Sequence, residues 1–574
     1  MRWTLALLMM GIAAPAIAQD DPLAPVLTDL PPPKPVVPVA TVPKDWRGVF
    51  AAIRAEDWAD AKAGIDALPD SPLKPVAKAQ LFTAKNSPRA ELGDILLLLG
   101  EAPDLPQAVQ LQRMAVARGA IETPTILYPA RVVPLASAPR RHRSAPVMGE
   151  PAADALRSAM EPLVKGDLAL DAEALYTAAA PTLSPEARAE AAQRVAWIYY
   201  VTGLDVDARR IAETGIGDPL TGVATGEWGA QAHWIAGLAA WRAGDCDGAA
   251  LHFRAVAYGR SETELAAAGA YWAARSEMAC RRPQLVEPLM KAAAKSAEGF
   301  YGLVARETLG MDKALPPAQH APAIIGALPN VRRAAELVAI GERSLAEELM
   351  RHQARIGSPS THSALAAKAR ELDLPAAAFW IAHNGPVGAV ASPADRFPLP
   401  RWAPTGGWRV DPALAYAHVR QESDFRMAAV SPAGAVGLMQ VRPGTAGDFA
   451  RARGVVLGNL ADPVVNLEYG QSFIEMMRGK SATRGQLPRV IAAYNAGPLP
   501  VDRWNSINDK GDPLLWIESL PYWETRYYVP AVMRNMWVYE GMAGTPQATL
   551  TAVAEHKWPA FPLARGFAST NGTR

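Results

Sequence analysis

From Trp46 to about Val390, apolar residues recur every three or four positions, with small residues at the remaining contact positions. That period is helical, and strict alternation is rare, so the pattern predicts helix after helix and few strands. Within this region RVAWIYYVTGLDVDARRIAE (194–213), HWIAGLAAWRAGDCDGAALHFRAVA (233–257) and AYWAARSEMACRRPQLVEPLMKAA (270–293) look alike. Each has an aromatic-rich first helix, a short turn and an amphipathic second helix. The turns return at intervals of about 40 residues, as in stacked helical hairpins. The expectation is an N-terminal α-superhelix over 46–395, with an irregular helical bundle as the alternative reading.

Proline and glycine punctuate the pattern twice. Residues 19–45 contain PPPKPVVPVATVP, which fixes φ, removes backbone donors and predicts an extended linker. ASPADRFPLPRWAPTGGW (391–408) reads as a connection between domains. Beyond it Asp411-Pro412 has the form of an N-cap followed by proline at the first helical position, and ALAYAHVRQES continues as a helix. A second domain is expected over 396–545, followed by a tail over 546–574 with no readable role.

Composition narrows the function classes. A chain of 574 residues exceeds what one core supports. Fifty-eight basic against 57 acidic residues give a net charge of +1, so no overall field steers it toward nucleic acid or an anionic membrane. At the N-terminus Arg2, the apolar run Trp3–Ala14 and the small-residue site Ala16-Ile17-Ala18 before Gln19 predict a secretory signal over 1–18, cleaved on export to the periplasm. No later stretch is apolar for long enough to span a bilayer.

The two cysteines, Cys246 and Cys280, occupy similar places in successive hairpins. An oxidising compartment permits a disulfide between them, and two buried thiols remain the alternative. The nine histidines are scattered, so neither a metal site nor a cofactor is expected. The cluster Arg140, Arg141 and Arg143 reads as a solvated loop.

The chemistry concentrates in VRQESDFRMAAVSPAGAVGLMQVRPGTA (419–446), AAYNAGP (492–498) and IESLPYWETRYYVP (517–530). In this order and spacing the three stretches resemble the catalytic domain of soluble lytic transglycosylases, and GFYGLVARETLG (299–310) is similar to a motif near the end of that family's superhelical arm. The resemblance implies a lysozyme-like α domain that cuts the β-1,4 bond between N-acetylmuramic acid and N-acetylglucosamine of peptidoglycan. It implies Glu422 as sole acid and base: the substrate's N-acetyl group stabilises the cation, its 6-hydroxyl attacks, and a 1,6-anhydro end forms without water. A hydrolytic lysozyme of related fold and a non-catalytic peptidoglycan-binding scaffold remain the alternatives.

For the acid to hold its proton near neutrality, an apolar pocket is required, to which the helix C-terminus adds a modest upward shift. The resemblance further assigns Ser431, Gly437, Gln440, Tyr494 and Glu518 to substrate binding, and Arg526 to a structural ion pair. Gly434 and Gly437 would permit tight turns or close approach to a sugar. Two residues depart from the family pattern. Arg442 stands where a methionine is usual, and is expected to bind a carboxylate of the substrate or to face solvent. His418, one turn before Glu422, replaces an aliphatic residue; if protonated it would weaken the acid, so a neutral or averted imidazole is expected. For the arm, two roles stay open: guiding glycan strands, or docking other cell-wall enzymes.

Overall fold

The computed structural model describes residues 41–136, 138–220, 222–316 and 321–562. The signal expected over 1–18 and most of the linker lie outside them. Among the described residues the protein is mainly α, with one two-stranded antiparallel sheet in which Val132–Pro134 pairs with Asn384–Pro386. Among the described residues no helix is long and apolar enough to cross a membrane.

Helices from Pro151–Lys165 to Phe300–Thr308 pack as successive antiparallel hairpins. Small residues let them approach closely: a Cβ on Gly269 would lie 2.8 Å from the Ala257 amide nitrogen and 2.9 Å from the Phe253 carbonyl oxygen. Larger side chains fill the spaces between hairpins, with Phe253, Tyr271 and Trp272 fully buried. Cys246 opens one helix, Cys280 caps the end of the next, and the two form a disulfide with a Cα separation of 5.5 Å.

The stretch 46–395 does not run as one linear stack. The first five helices, Trp46–Arg54 through Ala108–Ala117, share a core with Pro329–Ala339, Arg343–Ile356, His362–Glu371 and Pro375–His383. Buried Arg333 donates to Asp104 Oδ1 (2.7 Å), and Asn330 donates to the Asp104 carbonyl (2.7 Å). The two-stranded sheet completes this closure. Periodicity marks which face of a helix is buried but not which helix covers it, so the return of residues 329–386 onto the N-terminal helices had no local signal.

The hairpin core continues without a break into residues 397–561. Tyr301, from the GFYGL stretch, accepts from Trp272 Nε1 (2.9 Å) and donates to Glu518 Oε1 (2.9 Å). Tyr200 and Ser519 share a hydrogen bond of 2.8 Å, Arg275 pairs with Asp512 at 2.6 Å, and Phe300 stacks on Trp537. The tail is also structured as far as residue 562. Ala548–Ala554 is a helix whose Thr549 accepts from Trp537 Nε1 (2.9 Å), and Ala560 bridges Gln486.

The disulfide closes a loop between positions 34 apart in sequence, which restricts the unfolded chain. Replacing both cysteines by serine is expected to lower unfolding stability by about 3–4 kcal/mol in denaturant titrations under oxidising conditions, with no effect when both proteins are measured under reducing conditions.

Candidate active site

Asp411 caps the helix Pro412–Ser423 by accepting from the Ala413 amide (2.8 Å). The helix ends when Asp424 and Phe425 turn left-handed, at φ 51° and 65°, which leaves Glu422 in its last turn. The buried faces of this helix and of Trp523–Met542 meet side by side.

That contact delivers Tyr528 to Glu422. The Tyr528 hydroxyl donates to Glu422 Oε1 at 2.5 Å, and His418 Nδ1 lies 2.7 Å from the same hydroxyl oxygen. A tyrosine hydroxyl has one hydrogen, and here Glu422 receives it. His418 Nδ1 must then carry a hydrogen and donate to Tyr528, which leaves Nε2 as a lone pair; that atom is buried without a partner. The chain of bonds therefore runs in one direction, from His418 through Tyr528 to Oε1, and the second carboxyl oxygen is the one free to carry the acid proton.

Burial pushes the Glu422 pKa up to about 7, the Tyr528 hydrogen bond opposes the rise, and the charge of Glu524 adds to it. Burial likewise lowers His418 to about 3, so its imidazole is neutral. The Tyr528 hydroxyl is held well above its ordinary pKa by burial and then by the Glu422 charge, so it stays a donor.

The other expected site residues divide. Tyr494, on Leu487–Ala496, packs against His418 with ring centroids 4.4 Å apart and planes tilted by 40°, but its hydroxyl donates to the Met439 carbonyl (2.6 Å) rather than to the acid. Gln440 Nε2 donates to the carbonyls of Ala429 (3.2 Å) and Gly437 (2.9 Å), and Ser431 Oγ accepts from the Ala435 amide (3.0 Å). Both fasten the loop that follows Glu422. Gly437 is buried at φ 80°, where a Cβ would come within 2.2 Å of Asn466 Nδ2, so its backbone approaches Asn466 rather than a sugar. Arg442 is exposed.

Glu518 does not lie in the groove expected for it. It is 3% exposed, accepts from Tyr301 and faces Arg141 at 3.5 Å. Correspondingly, Arg141 is not a solvated loop residue: its guanidinium faces Glu518 and Glu262 and lies over the rings of Trp234 and Tyr527. Arg526, expected in an ion pair, lies 3.7 Å from the Trp197 ring centroid and donates to the Leu520 carbonyl. Aromatic faces and a carbonyl hold this cation.

Sequence reasoning passed over Tyr528, although it lies in the quoted YYVP. The available signal was spacing: Thr525, Tyr528 and Val532 fall on one helical face, and all three are buried, whereas Tyr527 is turned partly outward. Thr525 donates to Asn495 Oδ1 (2.7 Å), and a cleft of about 670 Å³ opens beside that pair, between the hairpins and residues 521–527. Among the described residues, Cys246, Asp247 and Cys280 form the one grouping with metal-ligand proximity, and its sulfurs are spent in the disulfide.

Residues 403–517 match the family model described as the transglycosylase SLT domain. The chain carries an SLT domain. Glu422, Tyr494 and Gln440 fall inside the matched residues; Tyr528 lies just beyond them. The soluble lytic murein transglycosylase of Escherichia coli K12 is 33% identical over 156 residues, which cover 26% of this chain and 23% of that protein. The membrane-bound lytic murein transglycosylase C of Histophilus somni (strain 2336) is 36% identical over 119 residues, 19% of this chain and 32% of the relative. The chain thus matches about a quarter to a third of the length of these curated relatives. An inactive mutant of the lytic transglycosylase Slt from Pseudomonas aeruginosa superposes with a TM-score of 0.49 at 18% identity, covering 87% of this chain and 86% of that one. The 70 kDa soluble lytic transglycosylase of Escherichia coli gives 0.47 at 18% identity, covering 90% and 99%.

Tyr528→Phe removes a hydrogen bond that favours the Glu422 carboxylate. The pKa governing the alkaline limb of the activity profile should rise by about one unit. His418→Ile, which frees Tyr528 from its orienting donor, should move the limb the same way by less; a profile unmoved by either change would remove the coupling. Stability supplies a second check. The raised pKa means that folding favours protonated Glu422 fully below pH 4.5, and that this contribution is lost as pH rises through about 7. Glu422→Gln should therefore stabilise the protein at pH 8 by on the order of 1–3 kcal/mol, and by nothing at pH 4, in calorimetric unfolding.

Proposed function

We propose that this protein is a lytic transglycosylase that cleaves the β-1,4 bond between N-acetylmuramic acid and N-acetylglucosamine in peptidoglycan, leaving 1,6-anhydro-N-acetylmuramic acid ends. The observation that carries the reading is Glu422: within the SLT domain, a carboxyl with a pKa near neutrality is held by a neutral donor chain that fixes one of its oxygens. The relatives' names supply the substrate. Export through the signal expected at 1–18 would bring the protein to the periplasm, where that polymer lies.

In the first step protonated Glu422 donates to the glycosidic oxygen. The N-acetyl carbonyl of the muramic residue attacks C1 as the leaving sugar departs, and an oxazolinium forms. In the second, the glutamate takes the proton of that residue's 6-hydroxyl, the 6-oxygen attacks C1, and the acetamide is restored. No water enters the bond changes. One group performs both tasks because its two protonation states are nearly balanced at neutral pH, the condition for efficient acid–base transfer. Tyr528 favours the carboxylate while keeping the same geometry in either state.

Glu524 gives a second reading some footing, because its charge reaches Glu422 and hydrolytic glycosidases commonly work with two carboxylates. The products decide. Wild-type protein incubated with peptidoglycan should release muropeptides lighter by one water than hydrolytic products and ending in the anhydro sugar, with Glu422→Gln reducing the rate at least about a thousandfold. Reducing ends would make the enzyme a hydrolase and Glu524 its candidate base. No release by the wild type would leave a binding scaffold.

A further inference from the structure

Successive turns of the hairpin stack are bridged to one another. Between the turns that follow Pro185–Val201 and Glu227–Ala243, Arg242 pairs with Asp205 and Arg209 with Asp245. Between the turns that follow Glu227–Ala243 and Thr263–Ala279, Arg282 pairs with Asp247, and the Cys246–Cys280 disulfide joins the two. The first gap, between the turns that follow Pro151–Lys165 and Pro185–Val201, differs. Among the described residues no ion pair or hydrogen bond joins residues 166–168 to 202–204, and Leu168 and Leu204 stand at corresponding places on a groove of about 1030 Å³.

One wall of the groove is the helix Ala169–Ala179, of whose 11 residues only Ala172 and Tyr176 are buried. Leu170, Asp171, Ala174, Thr177 and Ala178 line the groove and are spaced as one stripe of that helix. The small side chains at 174, 177 and 178 allow close approach, and the leucines face water: Leu168 is 47% exposed, Leu170 77% and Leu204 50%. Charge in the lining is one-sided. Asp167, Asp171, Glu173 and Asp207 stand against Arg210 alone, and its guanidinium is spent on Glu173 (2.8 Å) and Asp207 (2.9 Å). Among the described residues neither Asp167 nor Asp171 forms an ion pair.

Open leucines beside unpaired carboxylates define the chemistry of what would cover them. An anionic membrane or a polyanion would be repelled, and a neutral glycan would leave the carboxylates without a counter-charge. The walls are helices whose backbone groups are bonded internally, so an extended strand would find no partners for its amides. We infer that this groove docks a basic amphipathic helix of another protein, its apolar face on Leu168, Leu170 and Leu204 and a lysine or arginine at Asp171. The wall of 11 residues spans about 16 Å, so three turns of the incoming helix suffice. The inference goes beyond the proposed activity and does not depend on it.

The test titrates the full chain with a fluorescein-labelled helical peptide of about 14 residues, leucines on one face and lysines along its borders, and with a counterpart in which glutamates replace the lysines. Binding is read by anisotropy. Leu170→Ser and Asp171→Lys, both at exposed positions and checked for unchanged melting, should each weaken binding of the lysine peptide tenfold or more. Asp171→Lys should in turn bind the glutamate peptide tighter than the wild type does. No binding of the lysine peptide, equal binding of the two peptides by the wild type, or an affinity that neither substitution moves overturns the inference. Sedimentation of the chain alone supplies the remaining outcome: self-association abolished by Leu170→Ser would assign the groove to a second copy and overturn it as well. Release of muropeptides plays no part in these readouts, so the docking surface and the proposed activity fail separately.

Discussion

The contact between Pro412–Ser423 and Trp523–Met542 governs the chemistry of this protein, because it joins residues 106 positions apart into one hydrogen-bonded unit. A carboxyl at a helix C-terminus gains only a small upward pKa shift from the dipole, and an exposed one would titrate in the ordinary range. Apposing a second helix withdraws part of the Glu422 side chain from water and supplies the donor that keeps it oriented. Raising the pKa and fixing the geometry are thus two results of the same packing event. Neither helix could slide along the other without losing both.

His418 shows how a departure from a family pattern can be absorbed. In the last turn before the acid, a protonated imidazole would oppose proton donation. Burial against Tyr494 and Tyr528 removes that charge instead, and the remaining N–H directs the tyrosine hydroxyl. The cost is a buried nitrogen without a partner, which is tolerable because it is an acceptor on a neutral ring rather than a charge.

How much was legible in the sequence depends on whether information was local. Helical periodicity, the Asp411 cap and the place of Glu422 at the end of its helix could all be read from short stretches. The partners of charged residues could not. Arg141 reads as a solvated cation and Arg526 as a member of an ion pair until Trp234, Tyr527 and Trp197 arrive from other parts of the chain. Glu518, which follows the wholly buried run 514–517, takes its role from Tyr301 in a helix 217 residues earlier. The closure of residues 329–386 onto the N-terminal helices is of the same kind, a matter of pairing among amphipathic faces that look alike.

The bridge from Tyr301 to Glu518 and Arg141 also bears on how such a protein can evolve. An SLT domain released from its hairpins would present a carboxylate, a tryptophan face and several apolar side chains shaped for a surface no longer there. Recombination that moved the domain to another chain would have to carry these neighbours with it or replace them together. Within this chain a change at Arg141, Tyr301 or Glu518 would therefore disturb the other two, although none of them touches Glu422.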